Sequence, residues 1–144
     1  MQTRQWPSGT RVRPGRVLVV GDEPLPGEPL RAALCRENEV VLVTRASEAL
    51  ARLVASERYD VVLCDLMMPG MDGIEFHRQL RAALPDEARR VVFVTGGAVT
   101  ARVESFFLSV SNLLLDHPID VEGLCALIQR RVRGDEEGPA QHCA

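Results

Sequence analysis

Apolar residues gather along the chain into five short runs that do not alternate with polar residues. Each run is too short for a core helix, and a strand without alternation is typically buried on both faces. The runs are Val17–Val20, Val40–Val43, Val61–Cys64, Val91–Val94 and Leu113–Leu115. They predict five strands of an internal sheet.

Helical periodicity fills the intervals between these runs. Apolar residues recur at a spacing near 3.6 in residues 46–54, 76–84, 99–110 and 121–132, and more weakly in 29–36. This spacing predicts helices with one face on a core, and Asp120 is placed to cap the last of them. Because strands alternate with helices, right-handed βαβ crossovers are expected. The predicted fold is α/β, a five-stranded parallel sheet with helices on both faces.

Length and composition indicate one globular domain. With 46% hydrophobic and 26% charged residues, the 144-residue chain has enough apolar material for a single core. A net charge of -3 argues against binding nucleic acid or anionic lipid by electrostatics alone. No apolar stretch reaches the length of a membrane span, and no secretory signal is evident, so we expect a cytoplasmic protein without membrane contact. We predict flexible tails at 1–14 and 135–144 around a domain at 15–134.

Chemistry-bearing residues follow the predicted strands. Asp65 directly closes the run Val61–Cys64, Asp22 comes shortly after the first run, and Thr95 and Gly96 come after the fourth. In an open parallel sheet the carboxyl ends of the strands form the edge at which ligands bind. These residues are therefore candidates for one functional site.

Four separated motifs resemble bacterial response-regulator receiver domains. They are Val19–Pro24, Tyr59–Gly73, Val94–Gly97 and His117–Pro118. The resemblance covers roughly residues 15–134 and implies a flavodoxin-like, doubly wound sheet with strand order 2-1-3-4-5. It leaves open whether the chain is a single-domain regulator or the receiver of a hybrid histidine kinase.

The resemblance also implies a function in two-component or phosphorelay signalling. Asp65 is expected to accept a phosphoryl group from a histidine kinase or phosphotransfer protein, in a magnesium-dependent reaction. The domain would assist its own phosphorylation and dephosphorylation without being an enzyme. Its output is expected to be contact with a downstream protein.

The chemistry of phosphoryl transfer assigns further roles. A carboxylate nucleophile needs a divalent cation and hydrogen-bond donors aimed at the phosphoryl oxygens. Asp22 and Asp65 would repel each other unless a cation such as Mg²⁺ lay between them, and the resemblance assigns a third ligand to the backbone carbonyl of Met67. Thr95 offers a hydroxyl donor, and Gly96 offers a backbone N–H with space for a ligand.

The chain departs from the receiver pattern at two places in the site. Gly21 stands where the family has a second acid. Glu23 is a candidate to compensate for this missing acid without binding the metal ion directly. His117 stands in place of the usual lysine before Pro118, and all 17 basic residues of the chain are arginines. Because imidazole is charged only when protonated, phosphoryl binding is expected to depend on pH.

Leu114 is a third departure, because receivers often carry at this position a Tyr or Phe that turns inward on phosphorylation. It concerns the output face, formed by the last strand and helix. These departures favour a pseudo-receiver, which would bind a partner without being phosphorylated. Asp65, Asp22 and Thr95 favour the phosphoacceptor, and homodimerisation through the last βα units is left open.

Other functions have weaker support in the sequence. Asp22 and Glu23 would repel the phosphate of a flavin, and Met67 stands where haloacid-dehalogenase-type phosphatases carry a second aspartate. His77 is expected at the surface or its boundary. Because only a short tail follows Gly134, we expect no direct DNA binding.

Overall fold

A computed structural model describes residues 14–21, 28–68, 70–97, 100–116 and 119–134, with the backbone alone at 28–31 and 33. The described residues form five strands and six helices. The strands are β1 (Gly15–Val20), β2 (Asn38–Val43), β3 (Val61–Asp65), β4 (Val91–Thr95) and β5 (Leu114–Asp116). The helices are α1 (Glu28–Glu37), α2 (Ala46–Val54), α3 (Gly73–Ala83), α4 (Pro85–Ala88), α5 (Ala101–Ser109) and α6 (Val121–Arg133).

The strands form one parallel sheet in the order β2-β1-β3-β4-β5, which confirms the predicted topology. Cys64 of β3 pairs with Val20 of β1, and Asp65 pairs with Val94 of β4. The strands β1, β3 and β4 therefore end together at one edge of the sheet.

Both faces of the sheet are buried, which explains why the strands do not alternate. On one face the side chains of β1, β3 and β4 pack against α2, α3 and α5, around residues such as Leu18, Val62 and Phe93. On the other face they pack against Leu34 of α1 and against α6. Successive strand residues point to opposite faces, so each apolar run supplies both cores.

Hydrogen-bonding side chains begin three of the helices. Asp72, Thr100 and Asp120 each accept a hydrogen bond from the amide three residues further on. These bonds satisfy amides that have no partner within the helix. The predicted cap at Asp120 is confirmed.

The structure differs from the sequence pattern in two details. The short helix α4 was not predicted, because four residues beginning at Pro85 are too few to show a periodic stripe. Val54 is the last apolar residue of the helical stripe predicted over residues 46–54, but it is 59% exposed. Leu53 occupies the core position instead, and the next residue on a helix points about 100° away from it.

Two further predictions concern membrane-spanning segments and the tails. No helix in the described ranges is both long and apolar enough to cross a membrane. Apart from Pro14, the predicted tails lie outside the residues that the structure describes.

Candidate functional site

The strand β3 carries Asp65 to the carboxyl edge of the sheet. The four residues before it are buried, whereas Asp65 is half-buried. Its Oδ1 atom accepts a hydrogen bond from the amide of Met67 at 3.1 Å. The amide of Leu66 donates to the carbonyl of Val94 at 3.0 Å, so pairing with β4 continues just past the aspartate. The carboxylate is held where the strand meets solvent.

Thr95 ends the neighbouring strand and is 4% exposed. Because Asp65 pairs with Val94, Thr95 lies one residue further along the adjacent strand. The Thr95 Oγ1 atom accepts a hydrogen bond from the amide of Gly97 at 3.3 Å, which leaves its own proton to donate elsewhere. Gly96 between them is exposed. A carboxylate and a hydroxyl thus lie on adjacent strand ends.

The start of α3 packs directly on the backbone of Asp65. The amide of Gly73 donates to the carbonyl of Leu66 at 3.0 Å. A Cβ atom at residue 73 would lie 2.8 Å from the carbonyl oxygen of Asp65 and 3.0 Å from the Cα of Leu66. Glycine is therefore required by close approach of the backbone, and this approach fixes the turn that follows the aspartate.

An ion pair joins this turn to α5. Asp72 caps α3 through Oδ1, which accepts from the amide of Glu75 at 2.9 Å, while its Oδ2 accepts from Nη1 of Arg102 at 2.7 Å. Partial burial works to raise the pKa of Asp72, but the hydrogen bonds from Arg102 and Glu75 outweigh it and hold that pKa below its ordinary value. Nothing in the sequence indicated this pair, because its partners are 30 residues apart.

Cys64 is the one thiol next to the candidate nucleophile among the described residues. Its Sγ donates to the carbonyl of Asp65 at 3.4 Å. Burial raises the pKa of the thiol strongly, and the charges of Asp65 and Asp72 raise it further. The thiol therefore stays protonated and unreactive.

Several predicted site residues lie outside the described residues, namely Asp22, Glu23 and His117. Gly21 is buried and donates its amide to the carbonyl of Val43 at 3.0 Å. Met67 is 67% exposed, and its backbone amide is the group that contacts Asp65. Within the described ranges, no three His, Cys, Asp or Glu side chains cluster closely enough to hold a metal ion.

His77 is buried rather than at the surface, so that prediction was wrong. It is 4% exposed, and its ring centroid lies 5.2 Å from that of Phe106 and 5.9 Å from that of Phe93. The residue lies beside the apolar stripe of α3, and α5 covers it. Burial lowers the pKa of His77.

Comparison with known proteins agrees with this arrangement. A family model described as "Response regulator receiver domain" matches residues 17–129. The DNA-binding response regulator MtrA of Mycolicibacterium smegmatis is 35% identical over 127 residues, which cover 88% of this chain and 54% of the relative. The chain spans about half the length of curated relatives such as this one.

Solved structures show the same fold. A response regulator receiver protein from Pseudomonas putida is 25% identical with a TM-score of 0.64, covering 83% of this chain and 98% of that one. The signal receiver domain of a signal transduction histidine kinase from Syntrophus aciditrophicus is 25% identical with a TM-score of 0.68. In that comparison 90% of this chain and 98% of the other are covered.

The expectation of no direct DNA binding was wrong. It rested on the few residues after Gly134, yet the relative MtrA is itself a DNA-binding response regulator that extends well beyond the matched region. The end of this sequence is therefore no argument against a DNA-binding output.

Proposed function

Because this chain belongs to the response regulator receiver family, we propose that Asp65 is the phosphoacceptor of a two-component pathway. The phosphoryl donor is the phosphohistidine of a histidine kinase or phosphotransfer protein. The observation that carries the proposal is the juxtaposition of a half-buried carboxylate and the Thr95 hydroxyl on adjacent strand ends.

In this reaction the main task of the protein is to position the nucleophile and the hydrogen-bond donors. A carboxylate oxygen of Asp65 attacks phosphorus, and the P–N bond of the donor breaks with its electron pair left on the imidazole nitrogen. The product is an acyl phosphate on Asp65. Thr95 and the amide of Gly96 would donate to the phosphoryl oxygens, where preorganised donors are most effective. The domain is a stoichiometric acceptor, and we propose that it assists both its phosphorylation and its dephosphorylation.

The donor atoms around Asp65 suit a magnesium ion, which prefers carboxylate and carbonyl oxygens. Asp65 and the backbone carbonyl of Met67 belong to one turn, and Asp22 would be the third protein ligand. Glu23 would act from beyond the direct ligands and offset the acid missing at Gly21. A bound magnesium ion would neutralise the phosphoryl oxygens. We propose that His117 takes the part of the family's lysine when it is protonated.

One set of observations favours a second function, a pseudo-receiver that binds a partner without phosphorylation. The buried Gly21 brings no carboxylate to the site, and the half-buried Leu114 cannot act as an aromatic switch. In that function Asp65 and Thr95 would have a structural role only and would not take part in phosphoryl transfer.

Phosphorylation by acetyl phosphate separates the two functions. The protein and its Asp65→Asn variant would be incubated with the donor, with and without Mg²⁺, and examined by intact mass spectrometry. The phosphoacceptor predicts an adduct that needs Mg²⁺ and is absent from the variant. If the folded protein took up neither a phosphoryl group nor beryllofluoride, the pseudo-receiver would replace it. Repetition across pH 5 to 8 tests His117, since histidine has an ordinary pKa of about 6.5.

A further inference from the structure

Any side chain of this protein that brings positive charge to a phosphoryl group is an arginine or a histidine, because the chain has no lysine. Arg102 is bound to Asp72, the residue before the glycine that packs on the Asp65 backbone. A guanidinium group is thus already held at the end of the loop that follows the proposed phosphoacceptor. It comes from α5, the helix that follows the Thr95 loop.

Resting on the phosphoacceptor function, we propose that Arg102 moves from Asp72 to the phosphoryl group on Asp65 and neutralises it. Asp72 would hold the guanidinium ready in the unphosphorylated protein. Arg102 is then a phosphoryl ligand supplied by α5, and not merely a surface partner of Asp72.

The balance of charge supports the exchange. A phosphoryl group carries a charge of about -1.5 to -2 near neutral pH, against -1 on Asp72. Guanidinium also offers a planar fork of donors that fits phosphoryl oxygens in a bidentate manner. The side chains of Arg102 and Asp72 are 59% and 26% exposed, and pairs of this kind contribute little stability, so the exchange costs little. Because Arg102 lies in the first turn of α5, the exchange would also pull on that helix.

Four variants, together with the conservative Arg102→Lys, distinguish a phosphoryl ligand from a surface ion pair. Arg102→Gln removes the cation. Asp72→Asn removes the negative charge that Arg102 pairs with, but it retains the helix cap, because asparagine caps as well as aspartate does. The double variant combines the two changes. Arg45→Gln is the matched control, since Arg45 is an exposed arginine that follows β2 at the same edge of the sheet.

The measurement is the affinity for beryllofluoride in the presence of Mg²⁺, by isothermal titration, with circular dichroism to confirm folding. Arg102→Gln should weaken binding about tenfold or more, the loss typical of a hydrogen bond to a charged group. Arg102→Lys should restore part of it. Asp72→Asn should tighten binding about two- to fivefold, because it releases an exposed ion pair. The control should stay within about twofold, as expected for a surface substitution.

The double variant gives the decisive result. If Arg102 contacts the phosphoryl group, Arg102→Gln still weakens binding in the Asp72→Asn background. If Arg102 only screens Asp72, its effect disappears there, and the inference is overturned. An Arg102→Gln variant that binds as the control does would also overturn it, while leaving the phosphoacceptor intact. A wild-type protein that neither binds beryllofluoride nor is phosphorylated would overturn both.

Discussion

Replacement of Gly73 by alanine tests the contact that positions the proposed phosphoacceptor. The added Cβ would meet the carbonyl oxygen of Asp65 at 2.8 Å, well inside the 3.4 Å at which ordinary contact begins. Both groups are constrained, since the oxygen belongs to a strand of the internal sheet and residue 73 opens α3. Either α3 must move outward or the end of β3 must move with Asp65.

The expected magnitude follows from two opposing effects. Overpacking of a constrained site costs about 1–3 kcal/mol, while alanine in place of glycine favours a helix by about 1 kcal/mol. Because the nearest atoms that the Cβ would meet are backbone atoms, the upper part of that range applies, about 2–3 kcal/mol, and the net loss for Gly73→Ala is about 1–2 kcal/mol in the free energy of unfolding. In a domain of this size that corresponds to a fall in Tm of about 5 °C.

Urea denaturation and thermal melting measure the stability, and the rate of acetyl phosphate labelling measures the site. Gly97→Ala is the matched control, because a Cβ at residue 97 meets no atom within 4 Å. It should leave the free energy of unfolding within about 0.5 kcal/mol of the wild-type value, as surface substitutions do. Gly73→Ala should lower both the stability and the labelling rate.

Equal stability of the two variants would refute the reasoning, because it would mean that the close approach at Gly73 carries no constraint. Lower stability with an unchanged labelling rate would refute only the link to the site. In that case α3 would yield and Asp65 would keep its place.

Three further predictions concern stability. Leu34→Ala should lower the free energy of unfolding by about 2–5 kcal/mol in urea denaturation, because Leu34 of α1 is fully buried in the core between the sheet and α6, while the exposed neighbour Cys35 should tolerate alanine. Asp120→Ala should cost about 1 kcal/mol in the same assay through loss of the cap on Gly123, and Asp120→Asn should not. Since burial lowers the pKa of His77, the unfolded chain binds a proton more readily, so stability should fall as the pH drops below 6.5. Urea midpoints at pH 7.5 and 5 should show a smaller fall for His77→Phe, and an equal fall would contradict this account.

Much of the fold could be predicted because the burial of a strand or helix determines which of its positions are apolar. Runs such as Val61–Cys64 are apolar at every position only when both faces of a strand are covered. The spacing of apolar residues likewise indicated which segments are helices. The order of the strands came from resemblance to receivers, since apolar runs do not say which strand lies beside which.

The sequence indicated the residues of the candidate site but not their contacts. Asp65 and Thr95 were recognisable because each follows an apolar run directly, at the edge where parallel strands end. The reason for Gly73 was not visible, because the clash at that position depends on how closely α3 approaches the end of β3. His77 was misplaced for a similar reason, since its burial depends on a covering helix from a distant part of the chain.

The sequence by itself determined which segments become strands and helices, and which residues bring chemistry to the strand ends, because these follow from local spacing and polarity. Only the tertiary structure decided that Arg102 of α5 meets Asp72 of the Asp65 loop. That contact depends on the position and rotation of two helices packed on the sheet. No pattern within either segment encodes it.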